Sequence, residues 1–163
     1  MRLYLIRHGK AGSASPSGRD ADRGLTGHGR EQCRRLAHTF RALEIHCKTV
    51  FTSPLRRARA SAEILVASGV APFLEELDEL APGGPLDSLL THVTQWRDDR
   101  FGDIALVGHV PDLVTCAERL VWGEGRGRLH LPTAGVISIE LSTDGRIIGG
   151  SLLFWLTSPT LLP

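Results

Sequence analysis

Short apolar runs alternate with amphipathic stripes along most of this chain, and that alternation restricts its fold more than any other feature. Residues 3–6 (LYLI), 49–52 (TVFT), 73–77 (FLEEL) and 104–108 (IALVG) are of strand length and are bounded by polar or turn-forming residues. Each is followed by helical spacing. Cys33, Leu36, Ala37, Phe40 and Leu43 share one face of the first predicted helix, and Leu86, Leu89, Leu90, Val93 and Trp96 share one face of the third. The second predicted helix starts near Ser53-Pro54, with Ser53 as its cap and Pro54 in its first turn. The fourth opens at Pro111 and turns Leu113, Val114, Ala117, Leu120 and Val121 inward.

A strand that returns parallel to its predecessor needs a crossover long enough to hold a helix. The expected fold is therefore α/β: a three-layer α/β/α sandwich with a mostly parallel central sheet. Residues 73–77 are expected at the edge of that sheet. Residues 136–141, the turn Thr143-Asp144-Gly145 and residues 147–155 add an antiparallel hairpin. With 163 residues, 42% of them hydrophobic and 23% charged, the chain has the size and composition of one globular domain over residues 1–163.

The net charge is +1, too near balance to draw the chain as a whole to nucleic acid or to an anionic membrane. Recognition of an anion must then be local. Of the 19 lysines and arginines only Lys10 and Lys48 are lysine; arginine suits bidentate phosphate binding, but the excess alone identifies no site. No segment has the length of a membrane span, and the apolar N-terminal stretch is shorter than a secretory signal. Cys33, Cys47 and Cys116 are unevenly spaced, which fits small core residues in a reducing, cytoplasmic compartment.

In open α/β sheets, ligands bind beyond the carboxyl ends of the strands. The first strand here runs into Arg7-His8-Gly9, the second into TSPLRRARASAE with Arg56 and Arg57, and the fourth into His109 of GHVP. Cationizable groups held side by side at a strand end raise the electrostatic energy unless solvent or an anion answers them. Singly they read as turn histidines and solvated arginines. Together on one sheet edge they suit a phosphoryl group. Arg7 and Arg57 would repel a divalent metal, and no carboxylate cluster accompanies His8 and His109. The sequence has no G-x-S-x-G elbow and no Walker motif. GEGRG at 123–127 lacks a preceding strand and a following helix and reads as a flexible loop.

These residues resemble the histidine phosphatase superfamily, also called phosphoglycerate mutase-like. Arg7-His8-Gly9 matches its R-H-G signature, and Ser53, Arg57, Ala58 and Ser61 match S-x-x-x-R-A-x-x-[ST], which selects Arg57 over Arg56 as the phosphate ligand. Arg23-Gly24-Leu25-Thr26 is similar to the R-P-L-T segment, and His109 in GHVP matches the second histidine. The short length, GHVP, LAPGG at 80–84 and residues 155–159 further resemble SixA-type phosphohistidine phosphatases. One element departs from the pattern. Many members that cleave phosphate esters carry a carboxylic acid after the third strand, and in EELDELAPGG the nearest match is Glu79.

The resemblance implies that His8 attacks phosphorus and becomes a phosphohistidine, while Arg7, Arg57 and a protonated His109 grip the phosphoryl oxygens. It implies no metal or other cofactor. Arg7 and Arg57 are expected to depress the pKa of His8, and a backbone carbonyl to fix its tautomer. Arg23 is expected on the rim, with Lys10 and Arg19 solvated in the same loop. An alkoxide needs an acid to leave, whereas a phosphorylated imidazole carries its own proton on the distal nitrogen. The expected substrate is therefore phosphohistidine on a signalling or phosphotransfer protein. A small phosphate ester, a sugar phosphate or nucleotide, is the alternative substrate, and phosphate binding without turnover the alternative role; the oligomeric state is left open.

Overall fold

A computed structural model of the chain describes residues 1–99 and 101–141, and the backbone of 151–156. The turn expected at 143–145, residues 147–150 and the residues beyond 156 lie outside the described residues. The elements run β1 (Arg2–Arg7), α1 (Gly27–Ala42), β2 (Thr49–Thr52), α2 (Arg56–Ala67), β3 (Phe73–Glu76), α3 (Leu86–Asp98), β4 (Ile104–Gly108), α4 (Asp112–Trp122), β5 (Val136–Glu140) and β6 (Ser151–Leu156). Single 3-10 turns at Asp20–Asp22 and Asp78–Leu80 interrupt two loops. The sheet order is β3-β2-β4-β1-β5-β6, with β3 at one edge as expected. Pairing is parallel from β3 through β1 and antiparallel from β1 to β5 and β5 to β6.

The period of two along the strands divides the core between two faces. Leu3 and Leu5 of β1 and Ile104 and Leu106 of β4 pack with Leu89, Val93, Leu113 and Leu120, and so against α3 and α4. Tyr4, Ile6, Ala105 and Val107 pack with Leu36, Phe40, Ala58 and Leu65, and so against α1 and α2. Strands covered on both faces must be apolar at every position, which is why β1 and β4 read as unbroken hydrophobic runs. Each fully buried Leu or Ile contributes roughly 1.5–3 kcal/mol of transfer free energy. Among the described residues no helix is long and apolar enough to cross a membrane.

Three local expectations are corrected. Leu43 is 57% exposed: α1 ends at Ala42, and Glu44 takes a positive φ of 54°, so the chain turns away before Leu43 can face inward. Ser53 does not cap α2. It extends the β2 ladder, its N–H donating to Val107 O at 3.0 Å, and α2 begins only at Arg56. The loop 123–127 is anchored rather than free. The carboxylate of Glu118, wholly buried in α4, accepts from the backbone N–H groups of Arg126, Gly127 (2.6 Å), Arg128 (2.5 Å) and Leu129 (3.0 Å). Burial pushes the Glu118 pKa up, but those backbone donors outweigh it and hold the carboxyl below its ordinary value.

Candidate active site

Strand register brings the chain-distant residues together. Arg7 pairs with Gly108 and Thr52 with Val107, and the ladder continues one step further, His8 N–H donating to Gly108 O at 3.1 Å. His8, Ser53 and His109 therefore leave the sheet at one level. Arg57 arrives from the first turn of α2 on the same stripe as buried Ala58, Ser61, Ala62 and Leu65, while Arg56 and Arg59 face solvent. The turn after His8 rests directly on α1: a Cβ on Gly9 would lie 2.5 Å from Gly29 O and 2.9 Å from Cys33 Sγ. Only glycine permits that approach. The result is a cavity of about 380 Å³ lined by Arg7, His8, Lys10, Ala11, Asp20, Arg23, Arg57, Pro82, His109, Val110 and Thr133.

The tautomer of His8 follows from its partners. Nδ1 lies 2.7 Å from Gly9 O, which can only accept, and Arg57 Nε, which can only donate, reaches Nε2 at 3.3 Å. Nδ1 therefore carries the proton and Nε2 presents its lone pair to the cavity. His8 is 9% exposed. Its pKa falls from 6.5 to about 4, chiefly through burial, with the Gly9 carbonyl opposing and Arg57, Arg7 and Arg23 adding like-charge repulsion. Arg7 and Arg57 thus lower it as expected, with desolvation, which the sequence does not show, as the larger cause.

His109 is buried, its ring 5.0 Å from that of His8 and its Nε2 hydrogen-bonded to Ser53 Oγ at 2.9 Å. Burial, then His8 and Arg57, push its pKa down to about 3, so the imidazole is neutral in the free protein. Arg7 donates through Nη1 to Leu131 O at 2.9 Å. Its Nε is buried and has no partner among the described residues, and the side chain lines the cavity. Burial lowers the Arg7 pKa from its ordinary value.

Asp20 is the residue that sequence reasoning missed. Its carboxylate bridges two guanidinium groups: Oδ1 accepts from Arg23 Nε and Nη2, both at 2.7 Å, and Oδ2 from Arg57 Nη2 at 3.0 Å. Its backbone carbonyl accepts from Arg57 Nη1 at 2.9 Å. Arg23, and behind it Arg57, hold the carboxyl below its ordinary pKa, so Asp20 is ionised. The available signal was the spacing from Asp20 to Arg23. Asp22 competes for that reading and instead pairs with Arg19.

Arg23 reaches the rim as expected, and Lys10 lines the cavity as well, which the sequence had left to solvent. Glu79 is absent from the lining residues. Its Oε1 lies 3.3 Å from His92 Nε2 on α3, and Pro82 is what that stretch contributes to the cavity.

The comparisons with known proteins agree with this geometry. Residues 3–89 match the family model of the histidine phosphatase superfamily, branch 1. The chain is 37% identical over 171 residues to an uncharacterized protein of Picosynechococcus sp., with both chains fully covered. It is 23% identical to the phosphohistidine phosphatase SixA of Escherichia coli K12 over 89% of this chain and 88% of that one. A solved structure of the protein histidine phosphatase SixA complexed with tungstate superposes with a TM-score of 0.88 at 22% identity, covering 98% of each chain. Motif order, strand-end geometry and overall shape thus converge, and the chain belongs to the histidine phosphatase superfamily.

Proposed function

We propose that this phosphatase removes phosphate from phosphohistidine on a signalling or phosphotransfer protein, working through a covalent phosphohistidine on His8. The observation that carries the substrate class is the fate of the carboxylates. Asp20, the carboxylate lining the cavity, is locked in its ionised form by two arginines, and Glu79 pairs with His92 instead. Neither therefore stands in the cavity as a carboxylic acid that could protonate a departing alkoxide. A phosphorylated imidazole needs none, because a proton on its distal nitrogen lets it depart neutral. The SixA likeness in sequence and shape supports the same choice.

In this reading the Nε2 lone pair of His8 attacks phosphorus in line, the bond from phosphorus to the substrate nitrogen breaks, and its electron pair leaves with the imidazole. Water then attacks phosphorus, the electron pair of the P–Nε2 bond returns to His8, and inorganic phosphate is released. Arg57, Arg7 and His109, which line the cavity, stabilise the charge that shifts among the phosphoryl oxygens. The test compares initial rates on a phosphohistidine protein with those on a panel of sugar phosphates, nucleotides and phosphoserine. Rapid hydrolysis of the first and slow hydrolysis of the rest is expected, with His8→Ala inactive on all. Faster turnover of an ester assigns the chain to the small esters instead, and unaltered turnover in His8→Ala removes the nucleophile assignment.

A further inference from the structure

Asp20 is an anion in a site arranged for anions, and none of the steps above uses it. Its carboxylate is gripped by Arg23 and Arg57, and its carbonyl by Arg57, so the charge is fixed in position rather than free to swing away. Arg57 meanwhile presents Nε to Nε2 of His8, where the phosphoryl group must sit. Asp20 therefore stands across the Arg57 guanidinium from Nε2 of His8, among the residues that line the cavity, with its own side chain 62% exposed.

The geometry points to Asp20 as a charge selector: it admits a phosphoryl group carried on a neutral or cationic leaving group and discriminates against one that bears a further negative charge. This deepens the reading of the site as one for phosphorylated imidazole. Asp20 offsets one of the four cationic side chains that line the cavity, Arg7, Lys10, Arg23 and Arg57, so a dianionic headgroup is still drawn in, while a further anion placed beside Asp20 at the mouth meets its charge first. Because Asp20 is well solvated, the discrimination is moderate, about three- to tenfold rather than orders of magnitude.

The test measures binding, not turnover, so that its failure is separate from failure of the phosphohistidine reading. Dissociation constants of ethylphosphonate and phosphonoacetate, which share a headgroup and differ by one carboxylate, are measured by calorimetry on the full chain at a pH where both headgroups are doubly ionised. The wild type is expected to prefer ethylphosphonate, Asp20→Asn to lose about three- to tenfold of that preference, and Asp20→Glu to keep it. Added chloride should narrow the wild-type ratio, an arm that needs no variant. An unchanged ratio in Asp20→Asn, including equal weakening of both ligands, overturns the selector and leaves Asp20 as a brace for the arginines. A wild type that binds phosphonoacetate as tightly, or binds neither ligand, also overturns it. A wild type that shows the preference but does not hydrolyse a phosphohistidine protein keeps the selector and loses the function proposed above.

Discussion

His8 is a base made available by burial, and that has a cost at low pH. Its pKa and that of His109 lie near 4 and 3 in the folded chain against 6.5 ordinarily. Between about 6.5 and about 4 the unfolded chain binds more protons than the folded one, so stability is complete above that window and falls as the pH drops through it. The thermal midpoint should decline over this range by the equivalent of about 2 kcal/mol or more, and His109→Gln should show a shallower decline. An equal slope in both would remove His109 from the account. Gly9 sets the other limit on the nucleophile. Gly9→Ala must move Gly29 or Cys33, at about 1–3 kcal/mol of stability. It should also displace His8 and reduce kcat by about a hundredfold, measurable by denaturant titration and a rate assay. Arg7, His8, Arg57 and His109 were legible as a cluster because parallel strands carry their carboxyl ends to one edge. Asp20 was not, since nothing local tells one aspartate of a polar loop from the next.

At the level of elements, the signal was good where burial alone decides and poor where a polar side chain answers a distant backbone. Helices α1, α3 and α4 follow their apolar stripes, and β3 sits at the edge as its polar residues imply. Ser53 has the composition of a helix cap, yet its Oγ serves His109 and the N–H of Leu55, a choice made by the β2–β4 register. Glu118 lies on an otherwise apolar face of α4, and spacing gives no hint that four N–H groups of the following loop converge on it. That loop leads into Leu131, whose carbonyl holds Arg7, and into Ala134, whose N–H donates to Arg7 O at 3.0 Å. Glu118→Gln keeps the volume but turns an amide donor toward backbone donors. It should cost about 2–4 kcal/mol and weaken inhibition by inorganic phosphate through Arg7. Denaturant unfolding and a phosphate inhibition constant check the two effects, and a stable variant with unaltered inhibition would detach the loop from the site.

Across the whole molecule, the fold holds cationic residues where its strands converge, with Asp20 as their lining carboxylate, so the layered sheet and the anion site are thermodynamically linked. The sheet itself was readable because residues apolar on both faces admit few arrangements. The link to the site was not, because it depends on charges meeting across more than a hundred residues of sequence. Any dianion that enters the cavity stabilises the folded state by RT ln(1 + [L]/Kd), about 1.4 kcal/mol at ten times Kd. Sulfate suits the test because it remains a dianion through the window in which the histidines titrate. Sulfate also strengthens burial in proteins generally, so the informative quantity is the difference between the wild type and Arg57→Gln at ionic strength matched with chloride. The wild-type midpoint should rise further than that of the variant. The excess should grow as the pH falls from about 6.5 toward about 4, because a bound dianion favours the protonated forms of His8 and His109 and so offsets their linkage penalty. An excess that is absent, or that does not change with pH, would mean that the histidines and the arginines do not act on one ligand, and the cavity would lose its claim to be a single phosphoryl site.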